Sequence, residues 1–265
     1  MKVGYDAKRL FHNNSGLGSY SRLLVKGLSE ISLMQILLFA KNPERSPYYK
    51  DFKNHAIISS SRWLWRSWRI GSDIQKQGCD IFHGLSHELP LGIHRTKVKT
   101  VVTIHDVIFK IYPELYPWID RNIYNFKWKY SCEVADAIVV ISEQTKKDLV
   151  RHYHIDESKI HLIPPPVDMY SQPINTNSFR ERNLLPTHFF LYVGTLSKRK
   201  NVSLIIEAMA TLRDDVRVPL VIVGKGPDKE ALSALIATHQ LTDLVIFKDQ
   251  VTNEQLPGYY QSAEA

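Results

Sequence analysis

Phe189-Phe190-Leu191-Tyr192-Val193-Gly194-Thr195-Leu196-Ser197-Lys198-Arg199-Lys200-Asn201 reads as a strand, a glycine turn, a basic loop and the start of a helix. Beyond it, Leu204, Ile205, Ala208, Met209 and Leu212 fall on one helical face, with Asn201 as the expected N-cap. The pattern then repeats. Leu220–Val223 is a strand, Gly224-Lys225-Gly226-Pro227 a turn, and a helix follows from about Asp228 to Ala237. Leu244–Phe247 is a third strand and Glu254–Ser262 a short helix.

Upstream the rhythm is the same. Val3–Asp6 is a short strand, Asn13–Gly18 a loop, and Tyr20, Leu23, Leu24, Gly27, Leu28 and Ile31 recur at helical spacing. Strands are expected at Ile36–Ala40, Asp80–His83 and Thr100–Ile104, the last delivering His105-Asp106. A long helix runs from Ile119 to Ala135. Ala137–Ile141 is a near-continuous apolar run, as a parallel strand buried on both faces requires. Ser142 closes it and caps the next helix. After Ile160–Ile163, Pro164-Pro165-Pro166 stiffens the chain. Repeated strand–loop–helix units imply parallel sheets with helices on both faces. The fold class is therefore α/β, with two doubly wound domains: 1–165 and 188–265, joined by a linker over 166–187. In such folds ligands bind at the carboxyl ends of the strands. With two domains, the cleft between them is the expected site.

Composition narrows the class. The chain has 265 residues, 44% hydrophobic and 23% charged, an ordinary globular balance. No run approaches the roughly 20 apolar residues of a membrane span. Asp6 sits where a signal peptide would need its apolar run, so a cytoplasmic location is expected. Cys79 and Cys132 fit a reducing compartment and lack metal-ligand spacing. The net charge of +7 suits a nucleic acid, an anionic membrane or a phosphorylated substrate. The charge is scattered over the chain, with one concentrated spot where Arg62, Arg66 and Arg69 interleave with Trp63, Trp65 and Trp68. Trp and Arg favour the lipid headgroup layer, which suggests peripheral association with an anionic membrane. The same pattern equally describes an amphipathic helix whose tryptophans pack on the domain. No RNA- or DNA-binding motif accompanies it, so nucleic acid is not expected.

Few residues stand out as chemistry. Gly16 and Gly18 precede a helix, where backbone N–H groups favour phosphate, but position 21 is Ser and the dinucleotide fingerprint is incomplete. A nicotinamide-dependent oxidoreductase is thereby disfavoured. Lys198, Arg199 and Lys200 crowd positive charge against a helix start, an arrangement unfavourable to the helix unless an anion is bound; the competing reading is a solvated basic loop. His105-Asp106 ends a strand at its carboxyl side, where a His can donate to a ligand hydroxyl or share a proton. The competing reading is a core His with Asp capping a turn. His83 and His87 are four apart, but Gly84 argues for a loop, and no metal is expected. His152 and His154 read as surface. There is no nucleophile elbow and no P-loop.

Six short motifs occur in order: Ser15–Tyr20, Asp80–Gly84, Thr103–Asp106, Val140–Glu143, Tyr192–Asn201 and Ile222–Gly226. Together they resemble family 4 (group 1) retaining glycosyltransferases of the GT-B fold, particularly mannosyltransferase-like members involved in polysaccharide biosynthesis. The resemblance spans essentially the whole chain. It implies transfer of a hexose, mannose favoured, from a nucleotide-diphosphate sugar (GDP-mannose or UDP-hexose) to a saccharide or lipid-linked saccharide, with no cofactor. It implies catalytic roles for His105 and Asp106, and acceptor-side roles for His83 and His87. Donor contacts are implied at Gly16, Gly18, Ser142, Gly194, Thr195, Arg199, Lys200, Gly224 and Gly226. Many members carry Arg where this chain has Thr195, which shifts the phosphate clamp toward Arg199. The family pattern continues past position 265 with a further strand, an E-x7-E loop and a returning helix. The second domain is therefore expected to be incomplete as it stands. A non-catalytic nucleotide-sugar-binding module or partner subunit is the alternative to an active enzyme.

Overall fold

In the computed structural model the chain divides into two compact units, Met1–Pro166 and Val167–Ala265. The structure describes residues 1–31, 34–60, 65–166, 173–249 and 251–265, without the side chain of Trp68.

The first unit contains β1 (Lys2–Asp6), α1 (Lys8–His12), α2 (Gly16–Ser29), β2 (Gln35–Ala40), α3 (Tyr49–Phe52), β3 (Ala56–Ser59), α4 (Ile70–Lys76) and β4 (Ile81–Gly84). It continues with β5 (Lys99–Ile104), α5 (Ile108–Ile111), α6 (Trp118–Val134), β6 (Ala137–Val140), α7 (Glu143–Tyr153) and β7 (Ile160–Leu162). The seven strands pair in parallel in the order β3-β2-β1-β4-β5-β6-β7. The direction of winding reverses between β1 and β4, the switch point at which such sheets leave a crevice. Alternating residues build two cores. Val3, Tyr5, Ile36 and Leu38 face one side, and Leu37, Phe39, Val102, Ile104 and Ile138 the other. Burial on both faces explains the unbroken apolar runs.

The second unit contains α8 (Thr176–Asn183), β8 (Phe190–Val193), α9 (Val202–Thr211), β9 (Leu220–Val223), α10 (Lys229–Thr238), β10 (Val245–Lys248) and α11 (Leu256–Ser262). Its three strands are parallel in the order β10-β9-β8. On the other edge of β8, Glu264 N donates to the Phe189 carbonyl and Leu191 N to the Ala265 carbonyl. Two cores again flank the sheet, one around Ile206, Ile222 and Ile236, the other around Phe189, Val221 and Tyr259.

Three expectations need correction. The stretch 166–187 carries α8 rather than only linker. Its Phe179 meets Tyr259 edge-on at 5.3 Å, so α8 is part of the second unit's packing. Second, α1, α3 and β3 were not expected: the two helices are only four or five residues long, little more than one helical turn, and β3 is a half-exposed strand without a buried apolar run. Third, Asn201 does not cap α9 with its side chain. It adopts φ 48°, which Asn tolerates, and its amide oxygen accepts instead from the Ser203 hydroxyl.

Candidate functional site

In the first unit the carboxyl ends of β1 and β4 meet a charged network. Arg66 Nε and Nη2 both reach Asp6 Oδ2, at 2.7 and 2.6 Å, and its Nη1 donates to Glu88 Oε2 at 2.7 Å. Lys127 of α6 donates to the same Glu88 oxygen at 3.3 Å. Burial opposes the Arg66 charge, but Asp6 and Glu88 together raise its pKa above the ordinary value. For Glu88, burial likewise opposes ionisation, and Arg66 and Lys127 overcome it, leaving its pKa lowered. Two cavities, of about 350 and 520 Å³, open beside this network, and both are lined by Asp6, Arg66, Ser67 and Lys127.

This placement corrects the membrane reading of the Trp/Arg segment for two of its residues. Trp65 is buried and donates from Nε1 to Asp73 Oδ2 at 2.6 Å. Arg66 is held by two carboxylates. Both face the domain interior, as an amphipathic turn packing on its core demands. Arg69 is exposed. Arg62, Trp63 and the Trp68 side chain lie outside the described residues.

A second cluster surrounds Thr103 of β5. His83 Nε2 lies 2.9 Å from the Thr103 hydroxyl, and the Tyr20 hydroxyl lies 3.4 Å from the same atom. His105 Nε2 donates to the Leu85 carbonyl at 3.0 Å. His87 sits at φ 64°, donates its backbone N–H to the Thr103 carbonyl, and stacks on Trp128 with centroids 4.0 Å apart. Its ring lies 5.2 Å from that of His105, and Tyr20 meets His105 edge-on at 4.8 Å. Burial dominates the electrostatics: it pushes His83 down to about 4 and His87 well below its ordinary value, with His105 adding repulsion to each. It lowers His105 too, against the Leu85 carbonyl and Asp106, which favour the charged form. All three rings are thus neutral at pH 7. Because His105 donates from Nε2, its Nδ1 keeps the lone pair.

His83 and His87, for which the resemblance implies acceptor-side roles, are buried within the first unit. A strand and a tight turn aim both rings inward at Thr103 and Trp128. Asp106 Oδ1 accepts from the Ile108 backbone N–H at 3.2 Å, closing the turn that leads into α5. Tyr20 and Thr103 complete the cluster; each lies inside one of the ordered motifs, Ser15–Tyr20 and Thr103–Asp106, without a role implied for it there.

The loop before α2 is organised by Asn13. Its Oδ1 accepts from Ser15 N, Ser15 Oγ and Gly18 N at 2.9, 2.6 and 3.0 Å. A Cβ on Gly18 would lie 1.9 Å from the Asn13 carbonyl oxygen, so this glycine answers a packing need. Around Gly16 nothing lies within 4 Å of such a Cβ. Ser142 caps α7, its Oγ accepting from Thr145 N at 3.2 Å, while the Thr145 hydroxyl donates to the His105 carbonyl at 3.0 Å.

In the second unit the turns after β8 and β9 are fastened together. Gly194 N donates to the Val223 carbonyl and Leu196 N to the Lys225 carbonyl, both at 3.0 Å. Gly224, at φ 156°, would place a Cβ 1.9 Å from the Gly194 carbonyl oxygen, and Gly226 one 2.0 Å from that of Leu196. These glycines hold one turn against the other. Thr195 is exposed, and its carbonyl accepts from the Tyr192 hydroxyl at 3.1 Å. Beyond it, Lys198–Lys200 form one exposed 3-10 turn that leads into α9. None of the three forms an ion pair among the described residues. Among those residues no group of three His, Cys, Asp or Glu side chains is arranged to hold a metal, and no helix is long and apolar enough to cross a membrane.

Two parallel α/β units, each with its loops at the carboxyl ends of its strands, define a GT-B type fold. Residues 15–170 match the family described as Glycosyltransferase Family 4, and residues 174–265 the family described as Glycosyl transferases group 1. The chain belongs to Glycosyltransferase Family 4. It is similar to D-inositol 3-phosphate glycosyltransferase of Xylanimonas cellulosilytica, 28% identical over 49% of this chain and 34% of that protein. It is similar to O-antigen chain mannosyltransferase B of Escherichia coli, 23% identical over 99% of this chain and 74% of that protein. The chain thus spans about a third of the length of the first relative. Its fold is like that of sucrose-phosphate synthase from Thermosynechococcus elongatus, with TM-score 0.78 at 19% identity, covering 99% of this chain and 74% of that one.

Proposed function

We propose that this chain serves a retaining hexosyltransferase, moving a hexose from a nucleotide-diphosphate sugar to a saccharide or lipid-linked saccharide acceptor. One observation carries the reading: the exposed turn of Lys198, Arg199 and Lys200, with no acidic partner among the described residues, at the carboxyl end of β8 in a member of this family. Breaking the bond between sugar and diphosphate leaves charge on the departing phosphate, and the cations of Arg199 and Lys200 stabilise it without a metal. Gly194, Gly224 and Gly226 act through the backbone, fastening the turns that present Thr195 and this basic segment. Gly16 has free space for a donor group, while Gly18 and Ser142 shape the loop and helix start around them. The Nδ1 lone pair of His105 accepts a hydrogen bond from a sugar hydroxyl, and Asp106 fixes the turn beside it. Mannose is favoured by the likeness to a mannosyltransferase along 99% of the chain. A location at the cytoplasmic face of the membrane fits a lipid-linked acceptor.

Calorimetry with GDP-mannose and UDP-hexoses, followed by an assay for released nucleoside diphosphate, tests this. Lys200→Ala is expected to abolish donor binding while leaving the melting temperature unchanged. Unchanged affinity would remove the assignment of the phosphate site. Donor binding with no turnover in the presence of acceptors would instead favour a non-catalytic nucleotide-sugar-binding module. The anomeric configuration of the product, read by NMR, decides retention.

A further inference from the structure

Helix α6 is apolar on two sides. Trp128 and Cys132 point into the core of the first unit. On the other side Ile119, Ile123 and Phe126 recur at steps of four and three, which places them on one face of the helix. They are 64%, 45% and 60% exposed, and Trp118, one residue before the row, is 69% exposed. The helix has a stiff backing: Trp128 stacks on Tyr124 with centroids 5.5 Å apart and meets Phe109 edge-on at 4.6 Å. Single exposed apolar residues are common, but a row of them marks a place of association. A face already held in order loses little freedom when it is covered.

The rim decides what covers it. Anionic lipid selects clustered Lys and Arg. Here Asp120 and Lys127 lie on one flank of the apolar row, and Trp118, Lys129 and Glu133 on the other, so both signs are present. Asp120 forms no ion pair among the described residues. Lys127 has one carboxylate, Glu88, at 3.3 Å, and its ammonium can donate to another. Two copies of α6 laid antiparallel about a two-fold axis bring each flank against itself. With the axis beside Ile123 and Tyr124, Asp120 of each copy faces Lys127 of the other. The same axis sets Trp118 against Lys129, a cation–π pair. One register thus answers both flanks, with Ile119, Ile123 and Phe126 interlocking between them. The area agrees. The four apolar side chains leave about 500 Å² bare on each copy, so pairing removes on the order of 1,000 Å² through α6 alone, the lower bound for a specific interface. Ile111, Tyr112 and Leu115 are exposed too, in a segment anchored to α6 where Tyr116 meets Tyr124 edge-on at 6.4 Å, and they extend the surface.

We propose that this face of α6 is a homodimer interface, with Ile119, Ile123 and Phe126 at its centre and Asp120–Lys127 pairs across a two-fold axis. The inference goes beyond the transferase reading and uses none of the residues assigned to the donor. Ile123 and Phe126 also line the smaller cavity, so the second copy borders it.

Sedimentation velocity of the full chain over a range of concentrations tests this, with vesicle flotation on the same samples. A reversible monomer–dimer equilibrium is expected. Ile119→Ser/Phe126→Ser, at exposed positions, raises the dimer Kd by about ten-fold or more. Asp120→Lys raises it by a smaller factor, and added salt narrows that difference. Ile123→Cys places a thiol near the axis, and copper phenanthroline in air is expected to link two chains there. Cys79 and Cys132 are buried, so the parent stays unlinked. Arg151→Cys, exposed on another helix, is the control. Circular dichroism melts show that each variant folds. A chain that stays monomeric at about 100 μM overturns the proposal. So does a dimer that survives the double variant, or equal cross-linking of the Ile123→Cys and Arg151→Cys variants. A monomer that floats with phosphatidylcholine–phosphatidylglycerol vesicles, and no longer does so in the double variant, also overturns it and assigns the face to lipid.

Discussion

Arg66 shows how one side chain sets the shape of a site. It is the shared cation of Asp6 and Glu88, which leave β1 and the loop after β4 respectively, so it ties two neighbouring strand ends together. Removing it strands carboxylates in a partly buried position, which costs more than the pair contributes. Arg66→Met is expected to lower stability by about 2–3 kcal/mol in urea melts. Adding Asp6→Asn should recover part of that loss, because the two effects are coupled. The histidines make a second statement at this scale. His83 titrates near 4 in the folded chain against 6.5 when free. The unfolded chain therefore takes up the proton first. The contribution to stability is full above about 6.5 and is lost progressively as pH falls from there through about 4. Over that window it amounts to the order of 3 kcal/mol, and His87 and His105 act in the same direction. Urea midpoints measured across that range should show the decline, and His83→Gln should make it shallower while leaving the part due to His87 and His105.

At the scale of elements, two glycine loops that look alike in sequence behave differently. Gly224 and Gly226 lie against the carbonyl oxygens of Gly194 and Leu196, so the turns after β8 and β9 form one unit. Gly226→Ala forces those turns apart and is expected to cost about 1–3 kcal/mol, read as a fall in melting temperature. Gly16→Ala meets nothing within 4 Å at the start of α2, so its melting temperature should hold. If a donor group approaches Gly16, that same variant weakens donor affinity, which calorimetry reads directly. The contrast separates a glycine kept for packing from one kept for access.

For the whole molecule, each unit carries its own sheet with a core on either face. Residues 1–166 expressed alone should therefore unfold in one cooperative transition, followed by circular dichroism in denaturant. The proposed phosphate site of Lys198, Arg199 and Lys200 lies in the other unit, so the fragment should not bind a nucleotide sugar. A non-cooperative fragment would mean that its core depends on residues beyond 166.

The sequence by itself determined the class of fold and the family. Unbroken apolar strands such as Ala137–Val140 and long helices such as α6 leave patterns that are legible without neighbours, and the ordered motifs name the family. The basic turn at Lys198–Lys200 was legible for the same reason, since exposed charge beside a glycine needs no partner to be noticed. The tertiary structure decided which residues face inward. His83 and His87 stand four apart in a stretch that reads as a strand and a loop, and nothing local shows that Thr103 and Trp128, twenty and forty-one positions further on, claim their rings. Arg66 reads as a membrane contact, yet Asp6 and Glu88 hold it. The charged pocket of the first unit was not visible at all, because Lys8, Lys41, Arg66 and Lys127 come together only when the parallel strands bring distant segments to their carboxyl ends. Periodicity is a local property and survives in the sequence, whereas partnership depends on residues far apart and is created only by folding.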